Sequence, residues 1–178
     1  MPKFFHDWLV GDFSFSEDEY FEDKKPIAEG IKLIEAEDFI KAFYFFNQSV
    51  EKYPKNAFAY FYRGKCHYHF ENIEAALADF DKTLRLDSTI GEAFVMKGKC
   101  LYQLEAYEDA LKEYRRASRK QHDKNPELLR LVGELEIRTG NFESARKTLK
   151  LAIELGDEIA EQYYQTINFK ENYSNIKE

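Results

Sequence analysis

The sequence predicts an all-α fold: a solenoid of four helical hairpins stacked side by side and closed by one further helix. Three observations predict it. The first is a period. Gly30, Gly64, Gly98 and Gly133 follow one another at 34, 34 and 35 residues, and Ala42, Ala76, Ala110 and Ala145 do the same. Large residues keep the step at Phe39, Ile73, Tyr107 and Phe142 and at Phe46, Phe80, Tyr114 and Leu149; small ones keep it at Ser49, Thr83, Ala117 and Ala152. All five series share the one-residue slip before the last unit, as expected of stacked repeats. The second observation is that each period holds two stretches with apolar residues three and four apart, the spacing of one helix face. The third is a short breaker between the two stretches of a unit.

The elements follow in order. The first unit, residues 23–56, closes at Pro54. In the second, 57–90, residues 58–70 have helical composition and Glu71-Asn72 interrupts them. Ile73, Ala76, Leu77, Phe80 and Leu84 then line one face of a second helix, which Asp87-Ser88 ends. The third unit, 91–125, repeats this with a first helix over 92–103 and a second carrying Tyr107, Ala110, Leu111, Tyr114 and Ala117. The fourth, 126–159, starts at Asn125-Pro126, a cap followed by proline in the first turn, and turns at Gly140-Asn141. Residues 158–172 read as a capping helix, with Ile159, Tyr163, Ile167 and Phe169 among Glu, Gln and Lys, and 173–178 as a tail. One hairpin cannot bury its apolar face alone, so the units must stack.

The glycine, alanine and aromatic positions of all four units, together with Pro54, resemble the tetratricopeptide repeat (TPR). Ser88, His122 and Asp157 stand where later units of that family would show proline, and Pro26 where the first would show a large aromatic. The resemblance implies a right-handed superhelix, a non-catalytic protein–protein interaction module or scaffold, and a concave face lined by the first helix of each unit. Counted from each glycine, that face implies a peptide-binding groove at Phe61, Tyr62, Lys65 and Tyr68 of the second unit. It continues with Met96, Lys99 and Tyr102 of the third and Arg130 and Arg138 of the fourth. Lys65 and Lys99 occupy equivalent positions, with Tyr68 and Tyr102 as the next row. Such a wall suits a peptide with aromatic anchors and one or two carboxylates. A subclass of the family clamps the C-terminal carboxylate of chaperone tails with Lys, Asn and Arg. The clamp positions here read Ile27, Ile31, Tyr62, Glu92 and Met96, or one unit on Phe61, Lys65, Met96, Glu127 and Leu131, and neither register supplies it.

Residues 1–22 fall outside the period. Phe4, Phe5, Trp8, Leu9, Phe13, Phe15, Tyr20 and Phe21 are interleaved there with Asp7, Asp12, Glu17, Asp18, Glu19 and Glu22. The segment either packs on the first repeat as a cap or acts as a pseudo-ligand in a groove, its own or a neighbour's; the latter would make the chain self-associating. Formal net charge is −7 and the sequence pI about 5.3. That balance disfavours a nucleic acid or an anionic membrane as partner, and with it the RNA-binding repeats of similar length. Residues 1–7 lack the apolar run of a signal peptide and no stretch is long enough to span a bilayer, so a cytoplasmic location is expected.

Nothing in the sequence points to an enzyme, a cofactor or a metal. His67 and His69 are two residues apart on a helix and face different ways. Cys66 and Cys100, each two residues after a repeat glycine, read as small packing residues. The carboxylates are expected on solvated faces, and each repeat glycine stands alone inside a helix, so no phosphate loop forms.

Overall fold

The computed structural model describes residues 27–120 and 125–174. Residues 1–22 and His122 therefore lie outside the described residues. Nine helices follow one another within them. The first, α1, covers 27–35. It is followed by α2 (Phe39–Lys52), α3 (Ala57–His69), α4 (Ile73–Leu86), α5 (Gly91–Gln103), α6 (Tyr107–Lys120), α7 (Pro126–Arg138), α8 (Phe142–Glu154) and α9 (Glu158–Ser174). Each odd-numbered helix from α1 to α7 pairs with the next to form a hairpin, and the hairpins stack in order. The architecture is the all-helical solenoid of four hairpins and a closing helix that the period predicts.

The turns inside the hairpins share one device. In the second unit Glu71 N–H donates to the Tyr68 carbonyl and Asn72 N–H to that of His67, at 3.1 and 2.9 Å. This bond pair is a Schellman motif, and it needs a residue in the left-handed region between the helices. Glu37, Glu71 and Glu105 fill that place with φ of 59, 59 and 58°, and Gly140 fills it in the fourth unit at 78°. Three glutamates therefore hold a conformation that favours glycine. Some N-termini are capped by side chains: Asn56 accepts from Phe58 and Ala59 N–H, and Asn125 from Leu128 N–H, whereas Asn72 and Asn141 make no such bond.

The glycine series and one large-residue series prove to be partners in space. A Cβ built on Gly30 would lie 2.5 Å from the Phe46 ring, on Gly64 2.9 Å from Phe80, on Gly98 2.4 Å from Tyr114, and on Gly133 2.5 Å from Leu149. Each glycine is the seat for the large residue of the facing helix in its own hairpin. Gly98→Ala is therefore expected to destabilise. Overpacking costs about 1–3 kcal/mol, against about 1 kcal/mol gained in helix propensity, and Tyr114, 1% exposed, has no room to yield. Gly64→Ala, with its looser seat, should lower the melting midpoint less; the reverse order would dissociate the series from packing.

The core runs continuously through the stack. Phe80, Ala76, Phe61, Met96 and Cys100 form its second-unit part, and Ala110, Tyr114, Ala117, Leu128 and Leu135 carry it into the fourth. At the C-terminal end Ala160 and Ile167 of α9 are fully buried against Leu149 and Ala152, with Tyr163 and Tyr164 beside them. Ile159 of this helix is exposed, and Ala160 takes the inward place.

The expectation that the carboxylates lie on solvated faces is corrected for four of them: Asp79, Glu113, Glu134 and Glu136 are buried. In the second unit Arg63 donates from Nε and Nη2 to the two oxygens of Asp79 at 2.8 and 2.7 Å and from Nη1 to Asn47. In the third, Lys97 lies 3.2 Å from Glu113. Arg63 and Lys97 both precede the repeat glycine and their acids both follow it by 15 residues. This pairing keeps the repeat's step in the two middle units and is legible once a hairpin is assumed.

Candidate functional site

The concave face is built by α1, α3, α5 and α7, whose packing fixes which groove positions a partner can reach. Phe61 and Met96 are 2% and 8% exposed and belong to the core, so they support the groove floor and present no face to a ligand. The other seven positions are partly or fully open to solvent. They divide by what already holds them.

In the second unit Tyr62 stacks on Phe46 with ring centroids 5.3 Å apart. Burial, then the carboxylates of Glu92 and Glu35, push its hydroxyl up to about 12, so it stays protonated and offers a donor. Lys65 lies over the Phe61 and Tyr62 rings, at 5.5 and 5.7 Å from their centroids. Its ammonium also pairs with Glu92 of the next unit at 3.2 Å. The Glu92 side chain is 57% exposed, and such a pair is worth no more than about 1 kcal/mol. An incoming carboxylate can therefore exchange with it. The Tyr68 hydroxyl accepts from Gln103 at 3.3 Å, joining the second and third units along the wall.

Lys99 differs from Lys65. It is half-buried, and among the described residues no carboxylate pairs with it. The equivalent position in the first unit is Ile31 and in the fourth Glu134. A single uncommitted ammonium thus stands near the middle of the stack, with aromatic hydroxyls on the rows beside it.

The fourth unit closes the groove. Tyr102 donates to Glu134 Oε1 at 2.6 Å, and Arg138 donates to the same oxygen from Nε and Nη2 at 3.3 Å. The Arg138 guanidinium lies 5.2 Å from the ring centroids of both Tyr102 and Tyr107. Desolvation and the bond to Glu134 push Tyr102 up to about 12. Arg130 donates to Asp157 at 3.0 Å, with both side chains mostly buried. The two arginines expected to face a ligand are thus engaged in ion pairs, Arg138 with Glu134 one turn back on its own helix and Arg130 with Asp157, which comes within reach only after the chain has folded back.

The remaining chemistry-bearing residues are placed as packing. Cys66 and Cys100 are free and fully buried, and burial pushes both thiols up to about 12, which leaves almost no thiolate at neutral pH. His67 sits beside Asp79 at 3.9 Å, whereas His69 stacks on Phe39, so the two face different neighbours. Among the described residues no three His, Cys, Asp or Glu side chains are grouped to hold a metal ion, and no helix is long and apolar enough to cross a membrane.

The sequence model of the tetratricopeptide repeat matches residues 41–89 and 92–159. No curated protein sequence matches the chain. Solved structures do. YrrB, a TPR protein with an unusual peptide-binding site, is similar at 24% identity with a TM-score of 0.75, over 83% of this chain and 77% of its own. MamA is similar at 18% identity with a TM-score of 0.75, over 84% and 82%. The first TPR of Spaghetti (RPAP3), bound to the HSP90 peptide SRMEEVD, is similar at 16% identity with a TM-score of 0.63, over 66% and 93%. At these identities the likeness is one of fold.

Proposed function

Since the chain belongs to the tetratricopeptide repeat family and is thereby a protein–protein interaction module, we propose that it acts as a scaffold whose concave groove binds an acidic peptide with an aromatic anchor. The observation that carries this reading is Lys99, a half-buried ammonium with no carboxylate partner among the described residues. A partner's carboxylate would have no acid among the described residues to displace there. Lys65 would join by releasing Glu92, and the Tyr62, Tyr68 and Tyr102 rings would receive the aromatic side chain.

A chaperone-tail clamp is not part of this proposal. Met96 and Leu131 stand at clamp positions and Glu92 and Glu127 would repel a terminal carboxylate. The peptide-bound relative thus supports the groove as a place for peptides and not the choice of peptide.

The test begins with a displayed library of peptides that combine Asp or Glu with Phe, Tyr or Trp. The best binder is then measured by calorimetry against the Lys99→Glu variant. Charge reversal should weaken binding at least about tenfold, or 1.4 kcal/mol. Equal affinity for both proteins would move the peptide off this wall.

A further inference from the structure

A second recess opens on the opposite, convex face, and its chemistry differs from that of the groove. It is a cleft of about 770 Å³ between α4 and α6, floored by α5. Leu84 and Phe94 supply apolar lining, and Arg85, Lys97, Arg116 and Arg119 supply four cations. Two carboxylates answer them. Lys97 lies 2.7 Å from Asp81 and 3.2 Å from Glu113, and Arg116 donates to Glu113 at 2.9 Å. Arg85 and Arg119 are exposed and form no ion pair among the described residues; Arg119 donates only to the Arg115 carbonyl. Among the described residues the cleft therefore carries two uncompensated guanidinium groups.

The excess is confined to the middle of the stack. Arg85 and Arg119 occupy equivalent places in the second and third units, where the first has Glu51 and the fourth Glu154. Arg116 has Lys82 as its second-unit equivalent, with Gln48 and Leu151 outside.

The charge of the whole chain is distributed to match. Residues 1–22 hold one lysine and six carboxylates, a net −5, so the remaining 156 residues carry only −2 of the −7. Most of the acidity that characterises the sequence belongs to the aromatic N-terminal segment. The repeat body is nearly neutral, and its concave cations other than Lys99 are paired, whereas the convex cleft has cations to spare.

We propose that the N-terminal segment, residues 1–22, docks on this convex cleft of its own chain, with carboxylates on Arg85 and Arg119 and an aromatic ring over Leu84 and Phe94. The topology permits it. Arg85 and Arg119 lie in the last turns of α4 and α6 and Phe94 in the first turn of α5, so the cleft opens at the edge where second helices end and first helices begin. Residue 27, where α1 starts, lies at that same edge. Two to three helix layers of 8–10 Å separate the two places by roughly 20–30 Å, and 22 extended residues reach up to about 70 Å. Docking on the convex face leaves the concave groove open to another peptide, which distinguishes it from a pseudo-ligand.

Trp8 is the only tryptophan and reports on the segment directly. In the full chain its emission should be blue-shifted and shielded from acrylamide. Arg85→Glu/Arg119→Glu should shift it to the red and increase quenching with far-UV helicity unchanged, and Lys99→Glu should leave it as it was. Added sodium chloride should reproduce the red shift in the unaltered chain, which keeps the test decisive if the double variant misfolds. A red shift from Lys99→Glu alone, or no response to either variant or to salt, overturns the proposal. A red shift on dilution overturns it too, since the segment would then be held by a second copy.

Discussion

Phe80→Ala is expected to lower the free energy of unfolding by about 3–5 kcal/mol, the range for removing a large buried aromatic. Phe80 is fully buried, touches Phe61 at a ring-centroid distance of 6.0 Å and fills the seat left by Gly64. Its removal opens a cavity at a place where the backbone of α3 cannot collapse inward, because Asp79 holds Arg63 on the same hairpin. The second unit also couples the first to the third, so loosening it weakens both interfaces of the array. Urea denaturation followed by circular dichroism measures the loss; an unchanged midpoint would take Phe80 out of the core.

Arg63→Ala should cost nearly as much, about 3 kcal/mol, for an electrostatic reason. The Asp79 side chain is 7% exposed and accepts both of its strong bonds from the Arg63 fork. The hydrogen bonds that Arg63 donates to Asp79, with desolvation acting against them, hold its guanidinium above its usual range, so Arg63 stays charged. Removing the arginine leaves a buried carboxylate with His67, at 3.9 Å, as its remaining neighbour able to carry an opposite charge. Arg63→Lys should recover part of the loss, since an ammonium keeps the charge but not the two-pronged geometry. Arg63→Leu/Asp79→Leu should recover most of it, because no charge is then stranded. A double variant as unstable as Arg63→Ala would show that the pair's shape, and not its charge, holds the hairpin.

Both predictions concern the same hairpin because the repeat places its two internal devices there together. The glycine seat and the ion pair are adjacent in sequence, at Gly64 and Arg63, and their partners Phe80 and Asp79 are adjacent as well. The third unit copies the arrangement with Gly98, Lys97, Tyr114 and Glu113. The fourth keeps only the seat, since Val132 and Thr148 replace the charges. There Glu136 is buried instead, bonded by Arg115 of the preceding hairpin and by Ser144 at 2.7 Å each. That change moves the ion pair from within a hairpin to between two hairpins.

What the sequence by itself determined is the architecture. A period of 34 or 35 residues with a small residue at each close approach and a large one 16 positions on permits one kind of packing, because a helix pair can bury the large side chain only where its neighbour has no Cβ. The positions of the turns, the Asn125 cap and the inward faces of α4 and α6 followed from the same spacing. What only the tertiary structure decided is which charges remain free. Lys65, Lys99, Arg130 and Arg138 look alike as cations on successive first helices, yet three are held by Glu92, Asp157 and Glu134 and one is not. Likewise the net charge of −7 conceals a nearly neutral repeat body with a cationic cleft on its convex side. Packing is governed by shape at short range and repeats with the backbone. Electrostatic pairing depends on which acid stands beside each cation, on the same helix for Arg138 or on another element for Lys65 and Arg130, and a single substitution such as Glu134 for lysine changes the sign of the site.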